Sequence, residues 1–155
     1  MRDATAFTDA QQRVLVHVLD DLVPPSPDGR LPGAGAAGVG AYLDGSLGAL
    51  PPLKAMIAAG LDALEALARA RHPGGLDALC PAERAAVLAE HAASEHAFPP
   101  ILVMHAYAGY YQLPQVMTAL GLPARPPHPA GYEMGEDDLS LLEPVRRRGP
   151  MYRPA

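Results

Sequence analysis

Proline decides where this chain can be helical. Eighteen of its 155 residues are proline, set at intervals that cut an Ala- and Leu-rich sequence into short pieces. A proline has no N–H to donate and its ring clashes with the preceding turn, so it fits the first turn of a helix and not the interior. Pro24 and Pro25 therefore end a first helix, and Pro51 and Pro52 suit the start of a third. Pro81 suits the first position of a fourth, and Pro99 with Pro100 force a fresh start near Phe98. Glycine completes the punctuation: a Pro- and Gly-rich loop runs from Pro24 to about Gly35, and "HPGG" at 72–75 stops the third helix.

Between these stops the apolar residues recur at helical spacing. Thr8 and Gln11 form a T-x-x-Q capping box ahead of Leu15, Val18, Leu19 and Leu22, so each side chain can satisfy an orphan backbone N–H. A weaker helix is expected from about Ala36 to Leu50, with Val39, Leu43 and Leu47 on one stripe and Tyr42 beside it. Gly40, Gly45 and Gly48 each lower its intrinsic stability by roughly 1 kcal/mol against Ala. Leu53, Ile57, Leu61, Leu64 and Ala68 define the third helix, with Glu65 and Arg69 as an i,i+4 pair. "PAERAAVLAEHAA", "ILVMHAYAGYY" and the short "PQVMTAL", closed by Gly121, complete the series. No strand pattern longer than a few residues and no internal repeat is present. The expected fold is an all-α bundle of five or six helices over residues 1–121, followed by an extended Pro-rich arm over 122–155.

That arm holds seven prolines and no convincing helix. A structureless stretch of this length is either functional or disordered, yet Tyr132, Leu139, Leu141, Leu142, Val145, Met151 and Tyr152 are scattered along it, more apolar residues than a disordered linker carries. Its charges are segregated, with Glu133, Glu136, Asp137, Asp138 and Glu143 ahead of Arg146, Arg147, Arg148 and Arg153. Fully extended it would reach about 110 Å. Two readings stand: it lies across a partner, or it wraps its own helices.

Several functions are excluded early. A net charge of -5 lacks the basic surface that nucleic acid requires. One cysteine, Cys80, allows no intrachain disulfide, no C-x-x-C-H haem attachment and no cysteine-rich zinc site. No run approaches the ~18 apolar residues of a membrane helix. The opening "MRDATAFTDAQQR" has neither an h-region nor a twin-arginine pair. As written, the chain is therefore expected in the cytoplasm; a periplasmic location would need a leader already removed or an address supplied by a partner.

The chemistry-bearing motifs each have a plain reading beside a sharper one. "GAGAAG" at 33–38 fits the spacing of a dinucleotide fingerprint but follows a Pro-rich loop where that motif needs a strand. "EHAASEH" at 90–96 is the most metal-like cluster: His91 and Glu95 share a helical face, flanked by Glu90 and His96, and His17 or His105 could join them. A helical di-metal site needs such ligands from several helices and no second E-x-x-H exists, so a solvated ion pair competes with it. His17 and His105 beside apolar stripes read as core or interface histidines. Cys80 ahead of Pro81 reads as structural. The densest aromatic cluster is Tyr107, Gly109, Tyr110 and Tyr111. It could plug the core, or it could anchor an interface, since Tyr offers large area at low entropy cost and Gly109 permits close backbone approach. Arg146, Arg147 and Arg148 are too few for nucleic acid and would suit carboxylates on a protein partner, or remain a solvated run.

The order of these features resembles one family. "VLVHVLDDLVPPSPDGRLPGAGAAGVGAYLDGSL", then "YAGYYQLPQVMTALGLP", then "PAGYE" with a tail ending "LSLLEPVRRRGPMYRP" are similar, in that order, to segments of the gluconate 2-dehydrogenase subunit 3 family. The resemblance implies a small helical partner of a large FAD-binding subunit of the glucose–methanol–choline oxidoreductase type, which oxidises a sugar, sugar acid or alcohol and can pass electrons to a cytochrome c subunit. It implies no cofactor and no catalytic or metal-ligating residue in this chain. Its work would be binding, through Tyr107, Gly109, Tyr110, Tyr111, Tyr132, Leu139, Leu142, Arg146, Arg147, Arg148 and Tyr152. In that family the small subunit often carries a twin-arginine signal, which this sequence lacks. Two alternatives accompany the accessory-subunit reading: a transient maturation or export chaperone of the flavoprotein, and a helical metal-dependent enzyme built on the Glu90–His96 cluster.

Overall fold

A computed structural model describes residues 7–94, 98–125, 131, 135 and 137–148. The chain divides into two compact units, Met1–Arg125 and Pro126–Ala155. Among the described residues there is no strand, and the first unit holds six α-helices: α1 (Asp9–Leu22), α2 (Val39–Ser46), α3 (Pro51–Arg71), α4 (Pro81–Ser94), α5 (Phe98–Tyr110) and α6 (Pro114–Ala119). The fold is all-α, as the proline spacing predicts.

The capping box at α1 is present on both sides. The Gln11 N–H donates to Thr8 Oγ1 at 3.2 Å, and the Thr8 N–H donates to Gln11 Oε1 at 3.0 Å. The Gln11 amide also donates to both Asp62 carboxylate oxygens on α3, so one residue caps α1 and ties it to its neighbour. Val14, Leu15, Val18 and Leu19 point inward, and the helix stops ahead of Pro24.

The second helix is shorter than the 36–50 expected. It begins only at Val39 because Gly38, at φ +89°, is in the left-handed region, where a right-handed helix cannot continue. Beyond Ser46 the chain tightens into a 3-10 turn, Leu47–Ala49. The stripe of Val39, Leu43 and Leu47 is nonetheless fully buried, so packing holds what glycine content weakens.

The 21 residues of α3 make it the axial element, and it packs against α1, α4 and α5. Ile57, Leu61, Leu64 and Ala68 are buried along it. Gly60 faces the Phe98 ring so closely that an added Cβ would sit 2.6 Å from Cε2 and 2.7 Å from Cγ. Glu65 pairs with Arg69 at 2.8 Å as the i,i+4 spacing predicts, and also accepts the Leu76 N–H at 3.0 Å. That second bond fixes the 3-10 turn Gly75–Ala78, which leads the chain back to α4. On α4, Arg84 grips Asp21 of α1 through two bonds of 2.8 Å and donates to the Leu79 carbonyl. The Asp21 carboxylate holds the Arg84 pKa above its ordinary value.

One core runs through the unit, from Leu15, Val18 and Leu19 through Leu43, Ile57, Leu61 and Leu64 to Leu102, Tyr110 and Val116. Each buried aliphatic side chain contributes about 1.5–3 kcal/mol against exposure. Both phenylalanines, Phe7 and Phe98, are spent in it. A buried cation also sits at its edge: Lys54 donates to the Asp44 carboxylate at 2.5 Å and lies 4.9 Å from the Phe7 ring centroid.

In the second unit the described residues include a 3-10 turn, Leu139–Leu142, and a short helix, α7 (Glu143–Arg146). An extended run was expected at these positions. Asp138 supplies the difference by accepting from the Ser140 N–H and hydroxyl, and Pro144 lies in the first turn of α7, where proline is favoured.

Candidate functional site

The aromatic cluster at the end of α5 divides by helix face. Tyr110 turns inward: it is 1% exposed, and its hydroxyl donates to the Pro32 carbonyl at 2.7 Å. Burial pushes its phenol above the ordinary tyrosine pKa. Gly109 is buried with it, and there a Cβ would meet the Tyr42 ring and come within 3.0 Å of Val39 on α2. The close approach that Gly109 permits is thus made by this chain's own α2. Tyr110 and Gly109 serve the core.

Tyr107 and Tyr111 face the other way, at 44% and 53% exposure, with Met104 beside them at 59%. Positions 104, 107 and 111 fall on one helical stripe. The Tyr107 and Tyr111 rings lie 6.0 Å apart, and Tyr111 sets its edge against Tyr110 at 5.3 Å. An exposed aromatic pair is therefore braced from beneath by a buried, hydrogen-bonded ring. Anchors of this kind are large, amphipathic and rigid before any partner arrives. Met104 was not singled out by sequence reasoning; its place one turn ahead of Tyr107 was the available signal.

In the second unit Leu139, Leu141, Leu142 and Val145 are all exposed. Arg146 pairs with Glu143 at 3.0 Å, while Arg147 and Arg148 are exposed at the end of α7. Tyr132 and Tyr152 lie outside the described residues.

Among the described residues, the remaining motifs make the following contacts. The GAGAAG loop wraps a carboxylate: Asp20 accepts the Gly35 N–H at 2.8 Å and the Ala36 N–H at 3.2 Å. These amides, of the kind that a phosphate would use, are occupied by the chain's own α1. Cβ atoms at Gly33 or Gly35 would collide with Asp20, and at Gly35 with the Val16 carbonyl. In the 90–96 cluster, Glu90 pairs with Arg71 and His91 is buried against Phe98, so the two neighbours point to different surroundings. Glu95 and His96 lie outside the described residues. No group of three potential metal ligands comes together among the described residues. His17 bonds Asp77 at 2.7 Å, and His105 is half-buried on α5. Cys80 is exposed at the start of α4, where its N–H donates to Glu83 at 2.8 Å and holds that carboxyl below its ordinary pKa.

A protein family described as gluconate 2-dehydrogenase subunit 3 matches residues 9–131, from the first residue of α1 through all six helices of the first unit. The chain belongs to the gluconate 2-dehydrogenase subunit 3 family. No curated protein and no solved structure matches it. The matched span contains the loop around Asp20, the α2–α5 packing at Gly109 and the braced pair Tyr107–Tyr111, but stops ahead of residues 137–148. A subunit 3 chain bears the name of a component of a dehydrogenase complex, so contact with other components is part of its setting. No helix among the described residues is long and apolar enough to cross a membrane.

Proposed function

We propose that this chain is the non-catalytic accessory subunit of an FAD-dependent dehydrogenase of the glucose–methanol–choline type, and that it stabilises the large flavin-binding subunit and assists its assembly. The match to the subunit 3 family over residues 9–131 carries this reading. FAD resides in the partner, and this chain acts by burying surface. The stripe of Met104, Tyr107 and Tyr111 supplies the anchors, because its side chains are exposed while the helix beneath is held by Tyr110, Gly109 and the core. The apolar residues Leu139 and Leu142 and the arginines Arg147 and Arg148 add contacts from the second unit, with Tyr132 and Tyr152 assigned to the same role.

Co-expression with a flavoprotein large subunit of that type tests the proposal. With this chain present, the large subunit should show higher soluble yield and flavin content and should co-purify at fixed stoichiometry. Tyr107→Ala with Tyr111→Ala should weaken the complex by at least tenfold, in the range of aromatic hot spots, while circular dichroism of the chain stays unchanged. Equal yield, flavin loading and melting temperature with and without this chain would overturn the reading.

A further inference from the structure

Charge is divided unevenly over the first unit. Residues 7–30 and 62–94, which hold α1, the second half of α3 and α4, carry fourteen Asp, Glu, Lys or Arg side chains. The stretches 31–61 and 98–124, of similar combined length, carry two. Those two are Asp44 and Lys54, which bond each other, and Lys54 is 7% exposed. The uncharged segments adjoin: α5 meets α2 where Gly109 faces Tyr42 and Val39, and it meets α3 where Phe98 faces Gly60. Gln115 of α6 donates to the Ala37 carbonyl ahead of α2. Exposed large apolar side chains follow the same division. Of the seven among the described residues of the first unit, Leu50, Met104, Tyr107, Tyr111, Leu120 and Leu122 belong to the uncharged half, and Val16 alone to the charged one.

Surfaces that meet water carry interspersed charge, and depletion of charge marks the buried centre of a protein interface. Neutrality also selects what covers such a face. An anionic membrane or a charged protein surface would give up the hydration of its charges and find no counter-charge here, which is costly. The covering surface must therefore be uncharged and apolar itself. The Tyr107–Tyr111 stripe lies within this half, so the occupant is the large subunit that the stripe anchors. We propose that the whole uncharged half, made of α2, the start of α3, α5 and α6, is buried in the complex against an uncharged, apolar face of the large dehydrogenase subunit, while α1, α4 and the rest of α3 stay in water. This orientation rests on the accessory-subunit reading and extends its docking face well beyond three anchors.

Charge insertion into the full chain tests the orientation, with affinity for the large flavoprotein subunit as the readout. Leu50 ahead of α3 and Ala108 on α5 are exposed in the uncharged half, and Ala66 on α3 and Ala86 on α4 are exposed in the charged half. Each is replaced by Glu and, separately, by Lys. Both signs at Leu50 and at Ala108 should weaken binding by at least tenfold, and either sign at Ala66 or Ala86 by less than twofold. Glu and Lys are good helix formers, so the Ala108 variants decide the matter if those at Leu50 do not fold. Unaltered binding of the Ala108 variants, equal losses in the two halves, or weakening by one sign with strengthening by the other would overturn the proposal. A dimer of the isolated chain in sedimentation, dispersed by Ala108→Glu, would assign the face to a second copy and overturn it as well. These outcomes leave the accessory-subunit reading intact, because each is measured on a chain that binds the large subunit. If the unaltered chain does not bind it, that reading falls and the orientation falls with it.

Discussion

Replacing Gly60 by Ala sets two known effects against each other, and the structure decides between them. In a helix interior Ala is favoured over Gly by about 1 kcal/mol, and Gly60 lies mid-way along α3 with no positive φ. The added Cβ, however, would stand 2.6 and 2.7 Å from Phe98 Cε2 and Cγ, and closer still to Cδ2. Those atoms belong to a ring that is 3% exposed, so it cannot swing into solvent. Overpacking a close-packed core costs about 1–3 kcal/mol, and three ring atoms under one methyl place this case toward the upper end. The net expectation is a loss of about 1–2 kcal/mol, a fall in Tm of roughly 3–6 °C for a chain of this size. Gly45 in α2 is the control: nothing lies within 4 Å of its Cβ position, so Gly45→Ala should stabilise by about 0.5–1 kcal/mol. Urea denaturation with unchanged m-values gives both numbers. Phe98→Leu should relieve the Gly60→Ala penalty in a double-mutant cycle. Gly60→Ala at or above wild-type stability, or no coupling to Phe98→Leu, would refute the account of α3–α5 packing.

Tyr110→Phe should cost about 1–1.5 kcal/mol by leaving the Pro32 carbonyl without its donor, and should leave partner affinity unchanged; a surface plasmon resonance measurement showing weakened binding in a folded variant would place Tyr110 at the interface after all. Glu83→Gln should lower Tm at neutral pH. The Cys80 N–H holds the Glu83 carboxyl below its ordinary value of 4.5, so its contribution is complete above that value and disappears as pH falls through the lower folded one. The difference between wild type and variant should hold from neutral pH down to the ordinary value and narrow only as pH falls below it, and a constant gap from neutral to acid pH would contradict this origin.

Helix existence was legible here because proline is a local rule. Pro24, Pro51, Pro81 and Pro99 each act through their own backbone, and the helices start or stop beside them in the structure. The α2 boundary was not legible, since the left-handed turn at Gly38 depends on where Asp20 draws the preceding amides. The same limit applied to the aromatic cluster. Periodicity alone leaves open which face of α5 meets the core, and it took Val39 and Tyr42 on α2 to show that Gly109 and Tyr110 face inward while Tyr107 and Tyr111 do not. Arg84 and Asp21 are 63 residues apart, and nothing in either local sequence announces the other. The turn at 139–142 was missed because its capping Asp138 was counted only as charge.

The segment joining α1 to α2 has a consequence for the order in which this protein can assemble. Its backbone is pinned from the far end of the body: Tyr110 reaches Pro32 and Gln115 reaches Ala37, each across 78 residues, and Arg30 returns a bond to the Ala119 carbonyl across 89. Contacts of such separation close late, because the chain between them must first be ordered. During synthesis α1 and α3 can meet as soon as both have emerged, and Asp20 of α1 can already hold the Gly35 and Ala36 amides, but Arg30, Pro32 and Ala37 lack their distant partners until α5 and α6 follow. A ribosome-bound chain halted between α4 and α5 should therefore expose the Pro24–Pro32 part of the loop to protease more than the part held by Asp20, and its protection should arrive once Ala119 clears the exit tunnel.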